Sequence, residues 1–236
     1  MPTFYFIRHG QAGTRDNYDR LSDLGQEQAR LLGKHLAESG TRLTAVYSGT
    51  MLRQQRTAEL ACAELARRGL FKGEPKIDAR WNEFILASVY KCYGPRMAEE
   101  DAQFAADLRE MQEVIKVDPH AAGGAPGRCD RAVILAWIAN RYPDYDGESW
   151  SQFAARISSA RESLMERQAD EAIAVFTSAT PISFMTMKAL EMEDEKITRV
   201  AGVLYNSGIT VMRTLREDLR LFTFNAAHHL PEEKRT

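Results

Sequence analysis

The chain has 236 residues, of which 44% are hydrophobic, so it is long enough for one large α/β domain or two small ones with a packed core. Its net charge is -2, from 31 basic and 33 acidic residues, which argues against nucleic acid or an anionic membrane as a partner. No apolar run approaches the roughly 20 residues of a membrane span, and Arg8 interrupts the stretch where an export signal would be apolar. The three cysteines are widely spaced and form no C-x-x-C pair, so we expect a reducing cytoplasm.

The first ten residues contain the clearest functional pattern. Residues 4–7 form a short apolar run rich in β-forming side chains, which predicts a buried strand. Arg8, His9 and Gly10 follow it directly. Because ligands of open α/β sheets bind beyond the carboxyl ends of the parallel strands, we expect Arg8 and His9 where a small anion would dock. The alternative is an ordinary surface turn.

A second transition from strand to helix lies at residues 43–68. The preceding helix has Ser22 or Asp23 as its N-cap and continues past residue 36. Residues 43–47 then predict a strand that leads into a helix over 51–68. Arg53 lies in the first turn of that helix, where free N–H groups and a partial positive charge favour phosphate. The alternative is an exposed helical arginine.

The middle of the chain offers one carboxylate with unusual surroundings. Glu83 follows a possible short strand at residues 76–78 and lies between Trp81 and Phe84. It is our candidate proton donor, and a structural ion pair with Arg80 is the alternative. Residues 85–97 show no clear period, residues 98–116 look helical, and the Gly-Pro-Ala-rich stretch 118–127 predicts a flexible connection.

The last third of the chain predicts a late strand followed by a hairpin. We expect helices over 131–141 and 150–167, a strand over 172–176, and a helix capped by Thr180 with Pro181 at its first position. Two alternating segments, 208–213 and 220–224, indicate an edge hairpin with residues 216–219 near its turn. His228 and His229 lie in a polar tail, which is either solvated or folded back toward the site.

Three predicted strand ends could form one site. If the strands are parallel, Arg8 and His9, Ser48, and Thr177 with Ser178 meet at the same edge of the sheet. Two helix N-termini would lie there too, and the site would suit a phosphoryl group with His9 as the attacking group. Neighbouring arginines would lower the pKa of His9 and keep it neutral near pH 7.

With these motifs in place, the chain resembles the histidine phosphatase superfamily, also called phosphoglycerate-mutase-like, over nearly its whole length. The resemblance lies in residues 6–10, 21–29, 48–58, 81–83 and 147–149. It implies a single domain over 1–236, folded as a three-layer α/β/α sandwich with a mostly parallel central sheet. Residues at about 85–147 would form a helical cap insertion that determines substrate choice.

The resemblance also assigns roles to individual residues. It implies a phosphohistidine on His9, phosphate binding by Arg8 and Arg53, and proton donation by Glu83. The mechanism that the resemblance implies uses no metal and no other cofactor. The family usually has a second histidine after the late strand, but Ser178 stands there in this chain. Serine donates a hydrogen bond without a positive charge, and losing one such donor lowers a rate by ~10²–10³.

Two functions therefore stay open. The chain is either a phosphatase for a small phosphate monoester or a phosphate-ligand binding protein with little turnover, with Ser178 contacting phosphate in both cases. No feature favours a mutase over these. The sequence identifies neither the substrate nor the oligomeric state, and Arg96, Arg128 and Arg131 in the insertion either meet further negative charge or are solvated.

Overall fold

A computed structural model describes residues 1–14, 17–167, 170–215 and 218–236. The described residues form six β-strands and eight α-helices. The strands are β1 (Thr3–Arg8), β2 (Ala45–Ser48), β3 (Lys76–Ile77), β4 (Ala172–Thr177), β5 (Ile209–Leu215) and β6 (Asp218–Ala226). The helices are α1 (Asp23–Glu38), α2 (Leu52–Arg67), α3 (Leu86–Glu100), α4 (Ala102–Val117), α5 (Gly124–Ile138), α6 (Trp150–Met165), α7 (Ala179–Ala189) and α8 (Ile197–Ala201).

The strands form one sheet in the order β3-β2-β4-β1-β5-β6. The four strands from β3 to β1 are parallel, and β5 pairs antiparallel with both β1 and β6. The predicted mixed α/β fold with a mostly parallel sheet and an edge hairpin is therefore confirmed. Of the expected hairpin turn, residues 216 and 217 lie outside the described residues.

Helices cover the sheet on both faces and complete the three layers. On one face, Ile7 of β1 and Phe176 of β4 pack against Leu32 of α1 and Leu65 of α2. Side chains alternate along a strand, so Phe6 points to the opposite face, where its ring lies 5.7 Å from that of Trp81. Helix α7 packs against β1 and β6. No helix in the described ranges has the length and apolar character that a membrane crossing requires.

The chain divides into two compact units. The first comprises Met1–Glu83 and Arg156–Thr236 and contains the whole sheet. The second, Phe84–Ala155, is helical and contains a cluster of packed aromatic rings. Among them, Phe84 and Trp137 are stacked, with their ring centroids 4.4 Å apart. The insertion expected at about 85–147 falls inside this second unit, and its role as a cap stays a prediction.

Two of the arginines in the insertion form ion pairs within the second unit. Arg96 contacts Asp144 at 2.5 Å, and Arg128 contacts Asp107 at 2.8 Å. Both guanidinium groups are therefore engaged by carboxylates of their own unit.

Three helices differ from the sequence-based expectation. Helix α3 (Leu86–Glu100) takes up most of the stretch 85–97, in which the sequence shows no clear period. Gly94 and Pro95 hide the period of a buried stripe that includes Val89 and Met97. Helix α5 begins inside the stretch expected to be flexible, and Pro126 is tolerated there because it lies in the first turn.

The third difference is the start of α7. Ser178, not Thr180, is the N-cap, because the chain enters the helix directly from β4, and Pro181 again lies within the first turn.

Two glycines allow the backbone after β1 to touch helix α1. A Cβ at Gly10 would lie 2.3 Å from the carbonyl oxygen of Gly25, and a Cβ at Gly25 would lie 2.1 Å from that of Gln11. Neither backbone can yield as a flexible side chain would. Glycine is therefore needed at position 10 because the backbone that follows β1 and the backbone of α1 approach each other closely there.

We predict that Gly25→Ala destabilises the protein by about 2 kcal/mol or more, because the added methyl group overlaps the backbone of Gln11. Gly94→Ala is the matched control, since that glycine is also buried in a helix but its added Cβ would be 3.7 Å from Tyr90. The control should be neutral or stabilising by up to about 1 kcal/mol. Urea denaturation measures both, and equal effects would contradict the packing explanation.

Candidate active site

Three strand ends meet at one edge of the sheet. In the parallel pairing of β1 with β4, Arg8 is level with Thr177, and the N–H of His9 donates to the carbonyl oxygen of Thr177 at 2.9 Å. In the pairing of β2 with β4, Ser48 is level with Phe176. The structure therefore brings together the residues that follow these strands, including His9 and Ser178.

The ring of His9 is held at both nitrogens. Its Nδ1 lies 2.7 Å from the carbonyl oxygen of Gly10, and its Nε2 lies 3.1 Å from Nε of Arg53. A guanidinium N–H can only donate, so Nε2 must accept and Nδ1 must carry the hydrogen. His9 is also only 2% exposed. The lone pair of Nε2 is thus presented to Arg53 in the free protein.

Burial and positive charge keep His9 neutral. Burial lowers the pKa of His9 well below its usual value, and the charges of Arg53 and Arg8 lower it further. The hydrogen bond to Gly10 opposes this effect. The sequence suggested the arginines as the cause, and the structure adds desolvation as the larger one.

Arg53 connects His9 to a carboxylate that the sequence did not indicate. Its Nη1 pairs with Asp19 at 3.0 Å, and its guanidinium carbon lies 4.9 Å from the centre of the Tyr18 ring. Asp19 also accepts the N–H of Leu52 at 3.2 Å, at the start of α2. Arg53 itself is buried, so the alternative of an exposed helical arginine is wrong.

Arg8 is half-buried and anchored from one side. Its Nη1 donates to the carbonyl oxygen of Leu204, and its buried Nε has no hydrogen-bond partner within the described part of the chain. Burial lowers the pKa of Arg8, while the nearby Tyr18 and Glu83 raise it. Arginine remains charged in any case. Arg8 therefore adds a fixed positive charge beside His9.

Glu83 lies near Arg8 and at the start of α7. Its Oε2 accepts the N–H of Thr180 at 3.0 Å, and its charge is close enough to raise the pKa of Arg8. Arg80, which we considered as its ion-pair partner, pairs with Asp78 at 2.7 Å. Glu83 thus belongs to the same edge of the sheet as His9.

The two helix N-termini contribute less to anion binding than their position suggested. At α2 the N–H of Leu52 is taken by Asp19, and at α7 the N–H of Thr180 is taken by Glu83. Pro181 has no N–H to offer. The expectation that both helix N-termini bind phosphate is therefore wrong for these two N–H groups, and the guanidinium groups are the main candidates for binding phosphate oxygens.

Ser178 is buried and touches a second residue of α2 that the sequence did not indicate. The amide of Gln54 donates from Nε2 to Ser178 Oγ at 2.8 Å. In sequence, Gln54 looks like any polar residue in the first turn of an amphipathic helix. Burial of a polar side chain is decided by tertiary packing, so no local pattern could have identified it.

A second layer supports the backbone of His9. Its carbonyl oxygen accepts from Asn206 Nδ2 at 3.0 Å and from the N–H of Ser207 at 3.2 Å. The Oγ of Ser207 lies 2.9 Å from Nε2 of His229, whose ring centre is 5.7 Å from that of His35. His229 is therefore half-buried in the layer behind His9, where it contacts Ser207 and His35.

The comparisons with known proteins agree with this fold. Residues 4–124 and 129–227 match the family model of the histidine phosphatase superfamily (branch 1), so the chain belongs to that superfamily.

Solved structures with the same fold include a phosphoserine phosphatase mutant from Entamoeba histolytica in complex with phosphoserine. It is 16% identical, with a TM-score of 0.63 over 98% of this chain and 100% of that chain. The alpha-ribazole phosphatase from Shigella flexneri is 19% identical, with a TM-score of 0.62 over 95% of this chain and 96% of that chain. At such identities the likeness establishes the fold alone.

A curated relative matches over a shorter segment. The mitochondrial serine/threonine-protein phosphatase Pgam5 of Caenorhabditis elegans is 41% identical over 61 residues. That segment is 26% of this chain and only 22% of the length of the relative.

We predict that Arg53→Met raises the pKa of His9, because it removes one of the two positive charges that lower it. The rise should be partial, since burial and Arg8 remain. Arg56→Met is the control, because Arg56 is exposed on the same helix and pairs with Glu59. Histidine NMR titration measures both variants. An unchanged His9 pKa in Arg53→Met would show that the charge of Arg53 does not act on the ring.

We predict that His229 makes the protein less stable in mild acid. Burial and nearby positive groups lower its pKa to about 4, so the unfolded chain takes up its proton first as the pH falls below about 6.5. Between pH 6.5 and 4 the wild type should lose roughly 2 kcal/mol relative to His229→Gln, after allowance for solvent screening. Above pH 6.5 this difference should not change.

His120→Gln is the control for this prediction, because His120 is exposed and is not among the groups that lower the pKa of His229. Urea denaturation at a series of pH values gives the free energies of unfolding. A wild type and His229→Gln variant with parallel pH dependence would contradict the prediction.

Proposed function

We propose that the chain is a metal-independent phosphatase that hydrolyses a small phosphate monoester through a phosphohistidine on His9. One observation carries the proposal: the Nε2 of a neutral, buried His9 is oriented by Gly10 at the opposite nitrogen and lies 3.1 Å from Arg53. A neutral imidazole with an available lone pair is the form that can attack phosphorus. A nearby guanidinium suits the charge of a phosphoryl group.

In the first step, Nε2 of His9 forms a bond to phosphorus while the bond to the leaving oxygen breaks. Arg53 turns its N–H from Nε2 to a phosphoryl oxygen, and the unpartnered Nε–H of Arg8 donates to the same group. Ser178 donates a further hydrogen bond. Glu83, near Arg8, protonates the leaving alkoxide, which departs as an alcohol.

In the second step, water attacks phosphorus and the bond to Nε2 breaks. The Glu83 carboxylate takes a proton from that water, so the residue returns to its acid form and inorganic phosphate is released. His9 recovers its neutral state. All atoms and protons are supplied by substrate, water and these side chains, so the cycle needs no cofactor.

The substrate class is proposed from the solved structures that share this fold. The solved relatives named as phosphoserine and alpha-ribazole phosphatases support a small phosphate monoester. Substrate choice is assigned to the insertion, as the resemblance implies.

The proposed location is the cytoplasm. The unpaired Cys62, Cys92 and Cys129 are consistent with a reducing compartment of this kind.

A phosphate-ligand binding protein with little turnover is the second candidate. It is favoured by Ser178, which offers a neutral hydroxyl where the family usually has a second histidine. Such a protein would bind phosphate through Arg8 and Arg53 without transferring it.

We predict that the wild type hydrolyses p-nitrophenyl phosphate and that His9→Ala lowers the rate by about 10³ or more, because the variant lacks the attacking nitrogen. The wild type should also form a phosphoenzyme that is labile in acid. His120→Ala is the control, since His120 is exposed, and it should retain the wild-type rate.

The two candidate functions give different results in this experiment. Equal hydrolysis by wild type and His9→Ala would rule out the mechanism. If the protein binds phosphate in a way that depends on Arg8 and Arg53, but His9 is never phosphorylated, the phosphate-binding protein is the correct function and the phosphatase is not.

A further inference from the structure

Gln54 is a fully buried amide beside the proposed phosphate site. It follows Arg53 in the first turn of α2, and the two side chains reach neighbouring positions of the sheet edge. Arg53 contacts His9, and Gln54 contacts Ser178. Because Arg8 and Thr177 are level in the parallel register, His9 and Ser178 follow at adjacent positions, about one strand spacing apart.

The amide of Gln54 has a defined orientation. Its Nε2 donates to Ser178 Oγ at 2.8 Å and to the carbonyl oxygen of Trp81 at 3.3 Å. The reverse orientation would set its own carbonyl oxygen against that of Trp81, and two acceptors repel each other. Gln54 is therefore the donor and Ser178 the acceptor in their hydrogen bond.

Packing alone does not account for this amide. The Oε1 of Gln54 is buried and has no hydrogen-bond partner among the residues that the structure describes, which is unfavourable. An apolar side chain of the same length would avoid that penalty. Gly49 leaves room for this oxygen because it has no side chain: a Cβ at that position would lie 2.0 Å from Gln54 Oε1.

The hydrogen bond from Gln54 determines what the Ser178 hydroxyl can do. A serine oxygen that accepts a hydrogen bond keeps its own hydrogen free to donate elsewhere. Within the described ranges, Gln54 is the hydrogen-bond partner that the structure provides for this oxygen. The hydroxyl hydrogen is thus available to a ligand at the sheet edge.

We propose that Gln54 is a positioning residue, which holds the Ser178 hydroxyl so that it donates to a phosphoryl oxygen on its way to or from His9. This inference rests on the proposed function of the site. Neither group of the pair titrates near neutral pH, so together they form a donor whose strength does not change with pH, unlike an imidazole.

The first test is a double-mutant cycle on the rate of p-nitrophenyl phosphate hydrolysis. Gln54→Met keeps length and removes the donor, and it should lower kcat roughly tenfold in the wild type. In the Ser178→Ala background it should have no further effect, because the hydroxyl that it orients is absent. Gln55→Met, at the next position of α2, is the control and should keep the wild-type kcat.

The second test separates orientation from packing by a change of pH. In Gln54→Glu, an ionised carboxylate accepts the Ser178 hydrogen and withdraws it from the substrate, whereas a protonated one donates to Ser178 as the amide does. The kcat of Gln54→Glu relative to wild type should therefore rise as the pH falls from 8 to 5. In the Ser178→Ala background this ratio should not change with pH.

Some outcomes would overturn the inference while the phosphatase stands. These are a wild-type kcat in Gln54→Met, an equal loss with and without Ser178, or a Gln54→Glu ratio that does not vary with pH. Each would mean that Gln54 only fills space.

Binding of inorganic phosphate, measured by calorimetry, covers the case of a chain without turnover. If the wild type binds phosphate but never labels His9, the proposed phosphatase is wrong. The inference then holds if Gln54→Met and Ser178→Ala weaken binding non-additively, and it fails if their effects add. A wild type that neither labels His9 nor binds phosphate contradicts both.

Discussion

The parallel register between β1 and β4 is the constraint on which the site depends. With Arg8 level with Thr177, the next residues on the two strands are His9 and Ser178. A slip of one residue would turn Ile7 away from the core that it shares with α1 and α2, because side chains alternate between the faces of a sheet. The apolar packing of the sheet thus sets the position of the polar groups at its edge. Two consecutive residues in the first turn of α2 then contact these positions: Arg53 contacts His9, and Gln54 contacts Ser178.

A carboxyl group lies close to each of the two guanidinium groups of the site before any ligand arrives. Arg8 and Arg53 are cationic and His9 is neutral. Asp19 forms an ion pair with Arg53, and Glu83 lies near Arg8. Each carboxylate also satisfies an N–H in the first turn of a helix. A guanidinium has five N–H donors, and the contacts of Arg53 with His9 and Asp19 use two of them. Further donors therefore stay available to phosphate oxygens while the ion pair persists.

Local sequence patterns predicted the strands and the helices that position His9, since apolar runs and helical periods are properties of short segments. They failed at α3 and α5, where Gly94, Pro95 and Pro126 look like breaks although tertiary packing keeps the segments helical. Within the site, Arg8 and Arg53 were recognisable because a charged group followed a strand or began a helix. Gln54 and Asn206 were not, because their contacts join positions 124 and 197 residues apart and leave no local signal.

The position of β1 in the sheet has a consequence for synthesis of the protein. Both neighbours of this strand, β4 and β5, lie more than 160 residues later in the chain. At ribosomal speeds, a nascent strand with Phe4, Phe6 and Ile7 waits on the order of ten seconds for its first partner. During that time its edges are open to pairing with other chains. Chaperone demand and aggregation during translation should therefore concentrate on the segment that later carries His9.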